Sequence, residues 1–174
     1  MSGFGSVVSG ARENLRARPD QAVASYAVES SQVEGLRSEV SARQFRLVVD
    51  EPESIGGTDK GPSPVEYALA ALATCQEITY RLYADSLGIP LDKVSVRVEG
   101  DIDFRGFFAV DESVRPGFGD IRISVHLDSP ASEADVRRLR DTVDAHCPVL
   151  DLLQNRTPVT VSLEHGSGAG AETA

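Results

Sequence analysis

Two cysteines are the residues of this chain with the clearest capacity for chemistry. Cys75 lies in an alanine-rich apolar stretch, and Cys147 lies in the run His146-Cys147-Pro148-Val149; the 174 residues contain no other cysteine. A thiolate is a nucleophile, and two thiols that meet can be oxidised to a disulfide, so the pair is a candidate for redox chemistry. The alternative is two ordinary buried thiols, because cysteine is among the most buried residue types.

The predicted local structure gives the two thiols different expected reactivities. Cys75 lies about three turns into a predicted helix, beyond the first turn in which the helix dipole acts, and simple burial there would leave it inert. Cys147 directly precedes Pro148 and is expected at the start of a short helix, a position that favours the thiolate. His146 beside it either tunes Cys147 or merely interacts favourably with a helix C-terminus. On these grounds alone Cys147 is the more reactive thiol.

The helix that carries Cys75 has clear start and stop signals. Ser63 is a good N-cap, Pro64 suits the first helical position, and Glu66 falls three residues after the cap, which completes a capping box. Gly88 supplies the C-cap, so the helix is expected to run from Pro64 to about Leu87. Its first half is small and apolar on nearly every face, which predicts a central helix buried on all sides.

Alternating apolar residues predict strands around this helix. We expect a hairpin turn at Glu34-Gly35, a second helix from the cap Ser132, and a short helix from Pro148. The strands are expected near residues 26–28, 45–49, 94–104, 121–127 and 159–163, and a short helix near 14–18. Because no strand–helix–strand rhythm is visible, the fold class is α+β. Residues 1–23 form a partly ordered N-terminal segment, 24–164 one domain, and 165–174 a disordered tail.

Composition excludes several classes of function. The chain carries 27 acidic and 17 basic residues, a formal net charge of −10. Nucleic acid and anionic membrane surfaces require a basic face, so neither is expected as a partner. No apolar run is long enough for a transmembrane helix, and no signal peptide is visible, which predicts a cytoplasmic protein. The spacing of cysteines and histidines does not fit zinc, and the glycine pairs lack a phosphate-loop lysine, so no cofactor is expected.

Two segments resemble the OsmC/Ohr family. The second segment is His146-Cys147-Pro148-Val149, similar to that family's second cysteine motif. The first segment reads Gly56-Gly57-Thr58-Asp59-Lys60-Gly61-Pro62-Ser63-Pro64-Val65-Glu66-Tyr67. It leads on through Leu69 and Leu72 to Cys75. The resemblance covers roughly residues 24–164. It implies an intertwined homodimer of two curved antiparallel sheets around central helices.

The resemblance also implies an activity, the thiol-dependent reduction of organic hydroperoxides without a metal or organic cofactor. By position, Cys75 becomes the peroxidatic cysteine and Cys147 the resolving one, which reverses the local ranking. A small dithiol or a redox protein then reduces the disulfide. The apolar helix and the phenylalanines suit a bulky organic hydroperoxide; these are Phe107, Phe108 and Phe118. A rival interpretation is a non-catalytic dimeric module of the same fold that binds an apolar or thiol-bearing small molecule.

In this family an arginine and a carboxylate activate the first cysteine. The carboxylate usually follows the proline of this helix directly, but here that position is Val65, and the nearest carboxylate is Glu66. Glu66 points about 100° further round the helix and matches a Pro-x-Glu variant of the motif. The arginine comes from the divergent N-terminal region, where Arg37 is the first candidate and Arg43 the second. After Cys147-Pro148-Val149 the chain continues Leu-Asp where the family often has Ser-Asn.

Overall fold

The structure, a computed structural model, describes residues 3–165 and combines helices with antiparallel sheets, as the α+β prediction requires. The tail predicted over 165–174 lies outside the described residues, apart from residue 165. Within that range no helix is both long enough and apolar enough to cross a membrane. In chain order the elements are α1 Phe4–Ala17, β1 Glu29–Glu34, β2 Arg37–Ala42, β3 Phe45–Val49, α2 Pro64–Leu87, β4 Lys93–Ile102, α3 Phe104–Phe107, β5 Phe118–Asp128, α4 Glu133–Asp144 and α5 Pro148–Gln154.

Helix α2 begins and ends where its local signals predicted. Ser63 and Glu66 form the complete capping box, with Pro64 at the first helical position. At the other end Gly88 adopts a left-handed conformation with φ of +67°, and its N–H donates to the carbonyl of Ala84. These bonds satisfy backbone groups that a helix end otherwise leaves unpaired, so the bounds of α2 follow from the sequence alone.

The strands form two separate antiparallel sheets. One has the order β1-β2-β3, and the other pairs β4 with β5. The predicted hairpin turn is present, with Gly35 at a φ of +53°. Along β4 and β5 every second residue is half-buried and the residues between are exposed, so one face of this sheet covers α2 and the other faces water. The largest core cluster joins α2 to this sheet and to α4, with members Tyr80, Ala84, Ile89, Leu91, Leu139 and Val143.

The prediction that α2 is buried on all sides is not met within the single chain. Leu72 and Tyr80 lie on a buried face, but Ala71 on the opposite face is exposed, and Ile78 on that face is 61% exposed. Small apolar residues on this face favour close helix packing, yet nothing among the described residues covers them. The apolar face of α2 therefore ends in solvent within the single chain.

Three local predictions need correction. Helix α1 is longer than the predicted 14–18 because it packs on α2. There Nη1 of Arg12 lies 3.4 Å from Ser86 Oγ, and its guanidinium carbon lies 5.9 Å from the centre of the Tyr83 ring. Strand β1 starts at Glu29, after residues 26–28. Residues 159–163 alternate apolar and polar side chains but form no strand, because no neighbouring strand pairs with them. Their three apolar side chains, Val159, Val161 and Leu163, are 82%, 86% and 91% exposed.

The close packing at Gly57, in the loop between β3 and α2, can be tested by substitution. A Cβ atom at Gly57 would lie 1.7 Å from the carbonyl oxygen of Glu51, whereas one at Gly10 in α1 would meet nothing within 4 Å. We expect Gly57→Ala to lower the free energy of unfolding by about 1–3 kcal/mol, the usual cost of overpacking. Gly10→Ala should raise it by roughly 0.5–1 kcal/mol, because alanine favours a helix interior. Urea denaturation measures both, and equal effects would contradict the described loop.

Candidate functional site

The two cysteines, far apart in the sequence, meet in the structure. Cys75 lies in the third turn of α2, and Cys147 is the N-cap residue of α5. Their Sγ atoms are 3.3 Å apart, with the Cys147 thiol oriented to donate to the sulfur of Cys75. Both are free thiols. Because a disulfide bond is about 2 Å long, only a small movement is needed to form one.

The surroundings of the two thiols differ. Cys147 is 1% exposed and packs in an apolar cluster with Leu72 and Leu150, while Cys75 is half-buried at the edge of that cluster. Loss of water around Cys147 raises the pKa of its thiol, and this outweighs the opposing effect of the Leu150 N–H at the start of α5. Burial thus opposes the helix-end effect at Cys147, and the local sequence argument could not include it. Cys75 is the accessible thiol of the pair.

The two candidate arginines lie away from the thiols. Arg37 is in β2 and forms an ion pair with Glu34, with 3.0 Å between Nη2 and Oε2. Arg43 is in the turn between β2 and β3, where its guanidinium lies 5.2 Å from the centre of the Phe45 ring. Among residues 3–165 neither arginine donates a hydrogen bond to a cysteine sulfur. Within the described residues, the two thiols thus meet without a hydrogen bond from either candidate arginine.

The carboxylate of Glu66 is already hydrogen-bonded at the start of α2. Its Oε2 atom accepts hydrogen bonds from the backbone N–H of Ser63 at 2.7 Å and from the Ser63 hydroxyl at 2.8 Å. These two bonds, the backbone one first, lower the pKa of the Glu66 carboxyl. Nine residues of helix separate Glu66 from Cys75, a rise of about 13 Å. Glu66 therefore cannot contact Cys75 of its own chain.

A cavity of about 410 Å³ opens beside this end of α2. Its apolar walls come from the β3–α2 loop, from α2, from the end of β4 and from α3: Ile55, Val65, Ile102, Phe104 and Phe107. Of the three phenylalanines expected around a substrate, Phe107 lines this cavity. Phe108 packs on the ring of Phe107, with the two ring centres 5.0 Å apart. Phe118 lines a different cavity, between β5 and α5. Phe104 was missed by the sequence analysis, although it stands at the end of the β4 alternation.

The loop that walls the cavity is organised around Asp50, a residue that the sequence analysis missed. Asp50 is 1% exposed, and its carboxylate accepts the hydroxyl of Thr58 at 2.6 Å and the backbone N–H groups of Glu51, Thr58 and Lys60 at 2.8–3.1 Å. The Thr58 hydroxyl is the largest of the causes that lower the pKa of Asp50 to about 2. An aspartate directly before a glycine-rich loop was the available signal, because its side chain can accept the N–H groups of the turns that follow.

Comparison with known proteins identifies the family. The family model described as OsmC-like protein matches residues 57–162, which is more than half of the chain. A hydroperoxide reductase of Mycoplasma pneumoniae is 28% identical over 130 residues, covering 70% of this chain and 84% of the relative.

Solved structures agree on the fold. An OsmC-like protein from Mycoplasma pneumoniae superposes with a TM-score of 0.67 at 25% identity, covering 75% of this chain and 88% of the other. An organic hydroperoxide resistance protein OsmC from Legionella pneumophila gives 0.60 at 18% identity, covering 77% and 92%. Together with the matched family model, the arrangement of helices and antiparallel sheets leads to one conclusion: this chain belongs to the OsmC-like protein family.

Proposed function

We propose that this chain is a thiol peroxidase that reduces organic hydroperoxides through a sulfenic acid on Cys75 and a disulfide between Cys75 and Cys147. The observation that carries the proposal is the 3.3 Å separation of the two Sγ atoms. The relative named hydroperoxide reductase and the structure named organic hydroperoxide resistance protein support the same substrate class.

The reaction balances with the residues present. The Cys75 thiolate attacks the terminal oxygen of the hydroperoxide, an S–O bond forms, and the O–O bond breaks. The departing alkoxide takes up a proton and leaves as an alcohol. Cys147 then attacks the sulfur of the Cys75 sulfenic acid, a disulfide forms, and water leaves. A small dithiol or a redox protein of the cytoplasm supplies the two electrons that restore both thiols.

The environment supports this division of roles. Cys75 is the accessible thiol, and the raised pKa of Cys147 keeps its proton in place to donate to the sulfur of Cys75. After oxidation of Cys75, the same short contact places the resolving sulfur next to its target.

The site requires a second copy of the chain, and we propose an intertwined homodimer. The apolar face of α2 around Ala71 is exposed, and residues 159–163 present apolar side chains to water. If two α2 helices pack antiparallel across a two-fold axis at Ala71, Cys75 lies opposite residue 67 of the partner. Measured along the helix axis alone, Cys75 is then offset by about one residue from the partner's Glu66, at the level of the partner's cavity.

The partner is also the proposed source of the activating arginine. Arg37 stays the first candidate and Arg43 the second. The bond from Arg37 to Glu34 is no obstacle, because an ion pair with an exposed carboxylate stabilises a protein by only about 0–1 kcal/mol and is readily exchanged. A guanidinium close to Cys75 would hold it as the thiolate.

Replacing each thiol should block a different step of the reaction. We expect Cys75→Ser to abolish consumption of cumene hydroperoxide. Cys147→Ser should complete a single turnover and leave a sulfenic acid that dimedone traps on Cys75. Stopped-flow peroxide consumption and mass spectrometry measure both. The reverse pattern would exchange the two roles, and free thiols unchanged by hydroperoxide in the unmodified protein would favour the non-catalytic binding module.

Glu66 should matter more for stability than for chemistry. Glu66→Gln keeps an oxygen that can accept from Ser63, so it should largely retain both melting temperature and rate. Glu66→Ala removes the reciprocal half of the box and should cost about 1 kcal/mol of stability. Thermal denaturation and peroxide consumption are measured on the same samples. A rate lower by orders of magnitude in Glu66→Gln at unchanged melting temperature would instead make this carboxylate catalytic.

The dimer and the activity should be lost together. On dilution we expect light scattering to report a two-chain species for as long as peroxide is consumed, because partner residues enclose Cys75. Exclusion of water by the partner also strengthens an arginine–thiolate pair. Ile78→Glu places a charge on the exposed face of α2 and should weaken the dimer, whereas Ser124→Glu on the water-facing side of β5 is the matched control. A fully active monomer would contradict the shared site.

A further inference from the structure

We propose that the cavity at the start of α2 binds the apolar part of uncharged hydroperoxides and discriminates against those that carry a carboxylate. This inference rests on the proposed peroxidase function and on the shared site, in which the cavity of one chain serves the Cys75 of its partner. It narrows the substrate class from organic hydroperoxides in general to neutral alkyl and aryl hydroperoxides.

The walls of the cavity suit an apolar group. Val65 stands where the family usually has a carboxylate, and its side chain lines the cavity together with Ile55 and Ile102. Two aromatic rings, Phe104 and Phe107, complete the wall with their centres 6.4 Å apart in an edge-to-face arrangement. A volume of about 410 Å³ accommodates an aromatic ring or an alkyl chain.

The charged groups of the cavity all have one sign. Its lining includes the acidic residues Glu51, Asp59 and Glu66, and no lysine, arginine or histidine of the described chain lines it. The pKa of Glu66 is lowered, so this carboxylate is ionised at neutral pH. A substrate carboxylate entering beside these groups would lose water and meet like charges, and both effects oppose its binding.

The N-terminus of α2 does not offset this repulsion. A helix start normally attracts anions through free N–H groups and its dipole. Here Oε2 of Glu66 already accepts from the N–H and the hydroxyl of Ser63, and Ser63 Oγ lies 3.4 Å from the N–H of Glu66. The negative charge of Glu66 thus occupies the position that a substrate carboxylate would take.

The acidic loop cannot easily move its charges away. Asp50 binds the loop through four hydrogen bonds, and the N–H of Asp50 donates to the carbonyl of Pro62 at 3.3 Å, which closes the loop at its base. The N–H of Asp59 donates to the carbonyl of Glu51 at 3.1 Å, so the two acidic residues of the loop that line the cavity are held together. The loop therefore keeps the negative charges of Glu51 and Asp59 close to the cavity.

A pair of substrates that differ in one charge tests the inference. Linoleic acid hydroperoxide and its methyl ester share the reacting group and the chain, and both are used below the concentration at which they aggregate. We expect kcat/KM for the ester to exceed that for the acid by about tenfold at low salt, with the ratio falling at high salt to the part that loss of water alone contributes. The salt series runs from about 0.01 M to about 1 M, over which the Debye length falls from roughly 30 Å to 3 Å.

Variants assign the effect to the cavity. Glu51→Gln combined with Asp59→Asn should bring the ester-to-acid ratio toward one. Asp59 has a φ of +53°, a conformation that asparagine adopts readily, so the loop should persist. The control is Glu53→Gln combined with Asp20→Asn, which removes the same net charge from residues outside the cavity lining and should keep the wild-type ratio. Equal reductions in both double variants would assign the effect to net charge and overturn the inference.

Other outcomes separate the inference from the proposed function. Equal kcat/KM for acid and ester, with cumene hydroperoxide still reduced, would overturn the charge discrimination alone. No turnover of cumene hydroperoxide would contradict the peroxidase. In that case calorimetric binding of methyl linoleate and linoleate, which lack the peroxide, decides the inference: preference for the ester supports it and equal binding overturns it.

Discussion

The contact between the sulfur atoms of Cys147 and Cys75, 3.3 Å apart, is the constraint on which the rest of the site depends. It requires the third turn of α2 to meet the first residue of α5, and Leu72 and Leu150 fill the space beside that junction. The same packing removes Cys147 from water and raises the pKa of its thiol. Proximity of the two sulfurs and the difference between them therefore have a single physical cause.

The start of α2 combines two separate functions in neighbouring residues. Glu66 closes the capping box, whereas Val65 lines the apolar cavity. The loop before them is tied to the buried carboxylate of Asp50, which accepts from three backbone N–H groups and one hydroxyl. Val65 thus supplies an apolar wall, and the adjacent carboxylate stabilises the helix.

How far the sequence predicts the structure depends on whether local or distant contacts decide each feature. The bounds of α2 are predictable because Ser63 and Gly88 satisfy backbone groups within a few residues of themselves. The burial of Cys147 is not, because it depends on side chains distant in the sequence. A strand over 159–163 is not decided by its alternation either, because a strand forms only where a neighbour pairs with it. The position of Arg37 is not predictable for the same reason, since it is set by how the hairpin of β1 and β2 packs.

The most direct test of the account is the product of stoichiometric oxidation. The unmodified protein is treated with one equivalent of cumene hydroperoxide. A denaturing gel without reductant shows whether chains are linked, and digestion without reduction followed by mass spectrometry maps the disulfide. We predict one cross-linked peptide pair that joins Cys75 to Cys147 within a single chain, because their sulfur atoms already lie 3.3 Å apart. A disulfide that links two chains, or two thiols that remain free, would contradict the central role of this contact.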